Sequence, residues 1–325
     1  MKNKNQIILS YLLIILFFNI AYGDEKIDYS SNSIKISENG KIITGEGNVQ
    51  IIINDNIIIN SEKFNYDRES GLYKILNNVQ FKDNINNIKA SGSEFIFSVF
   101  ENKILSKKKS KIIYKKNYDI DLNNFKYDIY NKKISSNNFV KIKDNVNNYF
   151  ELYEFLLDLE TSNFLGKEIK FIDYQHNKYF LNEVKINTDE DKLYGKKINF
   201  LDNQKNKYFL NEVMINTDNK QLYGKDLNIE FNKTLFGNKN NDPRLKAKSV
   251  KIQEQSSFLN KGVFTSCSKD NDCPPWSMYA EEIEHDKIDR TIKYKNAWLK
   301  IYDIPTVYFP RFSHPDPTVK RKSGF

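Results

Sequence analysis

Histidine and cysteine are nearly missing from this chain, which has 3 His and 2 Cys in 325 residues. That scarcity argues against multi-ligand zinc sites, iron–sulfur clusters and a histidine-rich catalytic centre. The length suits one large or two ordinary domains with a real core and excludes a small disulfide-stapled scaffold. With 12 Gly and 7 Pro the chain is neither collagen-like nor linker material. It carries no Gly-rich phosphate loop and no nucleic-acid motif, so no cofactor, metal or nucleic-acid partner is expected. No stretch after the first 23 residues sustains a 3.6-residue apolar period beyond two or three turns, which argues against helices.

What the chain does have is aromatic rings, 20 Tyr and 23 Phe, in a background whose mean hydropathy is −0.64. So many rings are incompatible with disorder. The formal charge is +8, almost all of the excess being Lys set among Asn and Ile. Scattered lysine of this kind reads as a solvated face or compositional drift.

The amino terminus has the order of a secretory signal over residues 1–23. Lys2 and Lys4 precede an apolar run from Ile7 to Ile20, and Ala21-Tyr22-Gly23 offers small residues at a cleavage site. The run is short of the ~20 apolar residues of a spanning helix. An uncleaved anchor is the rival reading. Export would bring both cysteines into an oxidising compartment.

Internal repetition organises the rest. Ile169–Lys197 and Ile198–Asp226 match without a gap at about 20 of 29 positions, a tandem duplication. Apolar-x-apolar pairs recur at steps of 29 to 31 residues: Phe64/Tyr66, Phe95/Phe97, Phe125/Tyr127, Phe155/Leu157, Val184/Ile186 and Val213/Ile215. A second series, from Val79/Phe81 to Leu227/Ile229, lies between them. Each unit therefore reads as strand, turn, strand, with one face apolar and the other Asn, Lys and Asp. The expected fold is all-β: an elongated β-jellyroll or solenoid-like stack of ~30-residue repeats over residues 24–240. Around Asn240 the beat stops, and Asn241-Asp242-Pro243-Arg244 reads as a boundary before a segment 241–325.

Periodicity serves two interiors equally: a filled core, or two walls that gape along one side and leave a trough. The candidate lining of such a trough is Phe64, Tyr66, Phe95, Phe97, Phe125, Tyr127, Phe155, Val184, Ile186, Val213 and Ile215. Near the start, Ile51, Ile53, Ile57 and Ile59 belong to two runs that are apolar on both faces. Such a strand is either buried on both sides or an edge that receives a partner's strand.

The segment after Asn240 carries a resemblance. Gly262-Val263-Phe264-Thr265-Ser266-Cys267, Trp276-Ser277-Met278-Tyr279-Ala280 and Tyr294-Lys295-Asn296-Ala297-Trp298-Leu299 occur in order. They are followed by Ile304-Pro305-Thr306-Val307-Tyr308-Phe309-Pro310, His314-Pro315-Asp316-Pro317-Thr318-Val319 and Arg321-Lys322-Ser323-Gly324-Phe325. Together these resemble the outer-membrane lipopolysaccharide-assembly family LptD, also called the OstA or organic-solvent-tolerance family. Gly45-Glu46-Gly47-Asn48-Val49 with Phe64-Asn65-Tyr66-Asp67 is similar to the unit of the periplasmic bridge proteins.

The resemblance implies a periplasmic jellyroll associated with the outer membrane, carrying lipopolysaccharide on an apolar groove. Its partners would be an LptA-like bridge protein joined by strand addition and an LptE-like plug lipoprotein met only through a barrel. The sequence ends at Phe325, where the family's barrel would begin, so an amino-terminal fragment or truncated product is expected. Residues 241–325 would then be the end of the jellyroll and its junction with the barrel, with Pro305, Pro310, Pro315 and Pro317 at that junction. Cys267 and Cys273 suit a local disulfide in an exported chain. The family also pairs such cysteines with the barrel.

Two other functions compete, a structural or adhesive β-solenoid and a carbohydrate-active β-helix enzyme. The second needs clustered carboxylates. Glu183 and Glu212 merely repeat each other, His176 becomes Lys205 in its copy, and His285 and His314 lack a nucleophile pattern.

Overall fold

The computed structural model describes residues 26–172, 178–190, 192–202, 204–216, 219, 221–233, 241–269, 274–315 and 319. The proposed leader, residues 1–23, and His176 lie outside them. The described chain is all-β, with 21 antiparallel strands in one continuous sheet. In chain order they begin with β1 (Ile27–Ser30), β2 (Ser33–Ser37), β3 (Ile42–Ile53), β4 (Ile57–Asp67), β5 (Leu72–Asp83), β6 (Ile88–Ser98) and β7 (Lys103–Tyr114). Next come β8 (Tyr118–Asp128), β9 (Lys133–Ser136), β10 (Val140–Asp144), β11 (Tyr149–Asp158), β12 (Asn163–Ile172), β13 (Lys178–Asn187) and β14 (Lys192–Leu201). The last are β15 (Lys207–Asn216), β16 (Gln221–Glu230), β17 (Arg244–Ile252), β18 (Ser256–Thr265), β19 (Trp276–Asp286), β20 (Thr291–Ile301) and β21 (Ile304–Pro315).

A phase slip inside each long strand makes one sheet into two walls. In β14, Leu193 and Gly195 point inward, Lys196 and Lys197 are both exposed, and Ile198 is again buried. The same buried–exposed–exposed–buried step occurs in β12, β13, β15, β16, β18 and β19. A straight strand would turn the second half's apolar set outward after such a slip. Here the strand bends, so both halves face the same interior. In β11, β12, β14, β16, β18 and β20 the second of the two residues between the buried ones, Glu154, Glu168, Lys197, Asp226, Lys261 and Asn296 respectively, holds positive φ. Where no bend is built, the rung is broken into two strands. β9 pairs with the second halves of β8 and β11, and β10 with their first halves. Likewise β1 and β2 divide the length of β3 between them.

The bend is packed by a large residue of one wall lying over a small one of the other. A Cβ on Gly166 would meet Leu152 Cδ1 at 2.5 Å, and one on Gly195 would meet Leu181 Cδ2 at 2.6 Å. On Gly224 it would meet Leu210 Cδ2 at 2.1 Å. These three contacts recur at 29-residue spacing and tie the walls along a closed corner.

The structure corrects two expectations. Ile51, Ile53, Ile57 and Ile59 are not on an edge: β3 is flanked by β1, β2 and β4, and β4 by β3 and β5. All four side chains are buried inside. Their runs read as edges because Ile52 and Ile58 add apolar residues on the outer face. The beat does not stop at Asn240 either, since β16 pairs with β17 from Leu222↔Ile252 to Glu230↔Arg244 and the walls continue to β21.

Gly224→Val should overpack the corner and lower stability by about 1–3 kcal/mol, read from urea unfolding. Adding Leu210→Ala should cost less on the Gly224→Val background than on the parent.

Candidate functional site

Opposite the corner, the hairpin turns of the two walls meet along a seam. From β3 to β12 the seam is shut. The Tyr127 hydroxyl donates to Asp83 Oδ2 across it at 2.6 Å, and Asn86 Nδ2 donates to the same hydroxyl at 3.1 Å. Burial, together with the Asp83 hydrogen bond, pushes the Tyr127 phenol far above its usual range and keeps it a neutral donor. Lys115 Nζ donates to Ser162 Oγ at 2.8 Å and pairs with Asp189, joining a turn of one wall to two turns of the other. Rings also cross: Phe81 meets Tyr127 edge-on at 5.8 Å, and Tyr114 meets Phe164 at 5.8 Å.

Beyond β12 the burial pattern changes at part of the seam side, where Leu193, Ile229 and Leu245 stay buried but other side chains do not. Tyr179, Phe200 and Tyr208 on one wall, and Ile186, Ile215 and Leu222 on the other, face the interior yet are half-buried. Further along, Ile252, Phe264, Met278 and Ile292 show the same partial exposure. The corner stays closed throughout, with Leu181 and Leu210 3% exposed and Ala280 and Ala297 0%. The result is a wedge-shaped interior, sealed at its apex and reached by solvent along its mouth.

The mouth is apolar. Phe171, Tyr179, Phe200 and Tyr208 run across four strands as a file of rings, with centroids 5.0, 5.1 and 4.1 Å apart. The Tyr208 hydroxyl donates to Asp202 Oδ2 at 3.0 Å, so its polar tip is pinned at the turn while the ring body faces inward. Burial, then the Asp202 carboxylate, raises the Tyr208 phenol well above its usual range.

All eleven residues expected to line a trough share one wall, but they divide along it. Phe64, Phe95, Phe97, Phe125, Tyr127 and Phe155 are sealed in the filled region, at 3% exposure or less. Val184 and Val213 lie at the corner, at 6% and 5%. Ile186 and Ile215 reach the open mouth, and Tyr66 is half-buried near the amino-terminal end, stacked on Tyr73 at 4.0 Å. The facing wall supplies Tyr179, Phe200 and Tyr208, which the candidate set lacked. Their signal was in the sequence: Tyr-x-Leu, two polar residues, then Val-x-Ile occurs at 179–186 and again at 208–215.

Cys267 is half-buried with Sγ 3.7 Å from the Trp276 carbonyl oxygen, and among the described residues no disulfide joins it. Cys273 lies outside the described residues, and the pairing expected between the two lies there with it. Pro305, Pro310 and Pro315 sit on β21, which pairs with β20, and Pro317 lies outside the described residues. Among the described residues there is no cluster of His, Cys, Asp and Glu fit for a metal ion.

No family model matches the chain. Over 78 residues it is 35% identical to the LPS-assembly protein LptD of Yersinia pestis bv. Antiqua, and to that of Yersinia pseudotuberculosis. Over 80 residues it is 30% identical to the LPS-assembly protein LptD of Idiomarina loihiensis. These matches cover 23–24% of this chain and span only 10% of the relatives' length. Among solved structures, LptH, the LptA-homologous periplasmic component of the lipopolysaccharide transport device of Pseudomonas aeruginosa, aligns at a TM-score of 0.28. That alignment has 12% identity and covers 32% of this chain and 76% of LptH.

Single cysteines in a Cys267→Ser/Cys273→Ser background should report the division of the interior. Ile215→Cys and Phe200→Cys should react with a water-soluble maleimide at least a hundredfold faster than Phe97→Cys in the folded protein.

Proposed function

We propose that the chain is a periplasmic module of lipopolysaccharide transport and that acyl chains travel in the open wedge between its walls. The observation that carries this reading is the change in burial along the seam from β13 on, where Tyr179, Ile186, Phe200, Tyr208, Ile215 and Leu222 face the interior yet are half-buried, while Phe97, Tyr114, Tyr127 and Phe164 before it are sealed. A soluble protein that only needed a core would continue the filled arrangement of β3–β12. Exposing one acyl chain of ~12 carbons to water costs on the order of 10 kcal/mol. A mouth lined by Phe200, Tyr208, Ile186 and Ile215 removes much of that cost while sugars and phosphates remain in water. The motif resemblance over the carboxy-terminal segment, and the names of the LptD relatives, support the same cargo.

The partners follow from the free edges. Among the described residues the amino-terminal edge is formed by β1 and β2, so an LptA-like bridge module would add its strand there and not at Ile51–Ile59. At the other end β21 carries Pro305, Pro310 and Pro315, which lack backbone donors and weaken further strand pairing. That suits a junction through which lipid leaves toward an outer-membrane barrel. An LptE-like plug would be met only by way of that barrel.

The test is photo-crosslinking in cells from Phe200, Ile215 and Phe97. Labelled lipopolysaccharide should attach at the first two and not at the third. Attachment at none of them, with the protein exported and folded, would sink the transport reading. Ile215→Asp, which places a charge in the mouth, should cut the Phe200 adduct at least fivefold.

A further inference from the structure

A groove of about 1160 Å³ lies on the outer surface of the wall bearing Val184 and Val213. Along one side runs a ladder at the corner: Glu154, Lys167, Glu183, Lys196, Glu212 and Lys225, one from each of β11 to β16. Glu recurs at 154, 183 and 212 and Lys at 167, 196 and 225, so the sign alternates at every strand. Within the chain these charges pair at 2.5 Å (Lys167–Glu154), 3.3 Å (Lys196–Glu183) and 2.7 Å (Lys225–Glu212). All six side chains remain more than half exposed. Along the other side, Leu156, Leu165, Lys185, Tyr194, Met214 and Tyr223 project outward from the same six strands. Leu165, Tyr194 and Tyr223 are 36–39% exposed, so an apolar file lies in the open beside a file of charges.

We propose that this outer face docks on the same face of a second copy of the chain. An alternating ladder with an even number of positions is complementary to itself under a twofold rotation. With the axis in the interface, parallel to the strands and between β13 and β14, each strand of the six meets its counterpart from the far end of the other set. Glu154 then faces Lys225 of the second copy, Lys167 faces Glu212 and Glu183 faces Lys196, so every contact joins opposite signs. The same rotation brings Leu156 onto Tyr223, Leu165 onto Met214 and the Lys185 ammonium over the Tyr194 ring. Each of these is an apolar or cation–ring contact, and no like charges meet. A ladder of one sign, or one with an odd number of positions, would not close on itself in this way.

The patch measures roughly 30 Å across six strands at ~4.8 Å each and about 15 Å along them, about 450 Å² per copy. That is about 900 Å² in total, which places the dimer in the weak, transient size class. Its interface is the back of a wall, so the mouth of the wedge and the strand edges stay free. The proposal does not depend on the lipid reading.

Sedimentation equilibrium of the purified protein, up to about 0.1 mM, tests it. A monomer–dimer equilibrium is expected. Glu183→Lys sets lysines face to face at two symmetric contacts and should weaken the dimer at least tenfold. Glu183→Lys with Lys196→Glu should restore it to within about threefold. Tyr194→Ser, which leaves the ladder intact, should also weaken it. In one chain Leu156 and Tyr223 are five strands apart, about 24 Å at the usual strand spacing, too far for a disulfide. Leu156→Cys with Tyr223→Cys, in a Cys267→Ser/Cys273→Ser background, should therefore give a covalent dimer on mild oxidation. A monomer at every concentration, a dimer indifferent to the charge reversal, or a monomer that takes up fatty acid on this face overturns the proposal.

Discussion

Every rung of this molecule must turn a corner, and the way it does so governs the rest. Two consecutive polar residues interrupt each strand's alternation, and the bend that absorbs them keeps both halves of the strand facing one interior. The cost is local. Residues such as Glu168, Lys197 and Lys261 occupy a left-handed conformation that disfavours side chains with a Cβ. The return is that a single antiparallel meander yields two facing walls without a crossover connection. Leucines 152, 181 and 210 lying over glycines 166, 195 and 224 then hold the walls at close approach on the corner side. Everything on the other side of the interior depends on how much volume the remaining side chains supply.

That volume changes along the chain. Toward the amino terminus the seam side is stocked with large rings such as Tyr73, Phe97, Tyr114, Tyr127 and Phe164, each at most 2% exposed, and the turns are clasped by Asp83, Ser162 and Lys115. Toward the carboxy terminus one wall offers the smaller Ile186, Ile215 and Leu222 on the seam side, and the rings of the facing wall stack along their own wall instead of crossing to the other. Stacking parallel to the wall satisfies the rings' preference for offset neighbours without filling the gap between walls. The same backbone plan therefore accommodates both a solid rod and an open wedge, and side-chain size and stacking direction select between them.

The fold was largely legible in the sequence because strand periodicity and a 29-residue repeat are local signals. The eleven residues chosen as a lining do share a wall, since each was read as an apolar pair in equivalent register. What escaped was the first half of β13 and of β15. Tyr179/Leu181 and Tyr208/Leu210 belong to the same strands as Val184/Ile186 and Val213/Ile215, and only the bend makes the two pairs face each other. Which of the eleven are sealed was not legible, because Phe97 and Ile215 occupy equivalent positions in their units and differ only in what stands opposite. The isoleucines at 51–59 misled for a similar reason: a strand apolar on both faces gives no hint of whether neighbours flank it, and the flanking β1 and β2 are short and poorly apolar. The apparent boundary near Asn240 reflected a change of composition with no break in pairing.

The tandem duplication spans two rungs, and that number matters. Inserting or losing one rung would reverse the direction of every strand that follows and exchange the two walls. Inserting or losing 29 residues returns each later residue to the same wall with the same sense. Length can thus drift only in quanta of about 10 Å, twice the usual strand spacing, while cross-section and chemistry are conserved. Two nearly identical neighbouring copies are also the substrate on which unequal recombination acts. The molecule's reach is in this sense a heritable, stepwise-adjustable quantity, uncoupled from the folding of its ends.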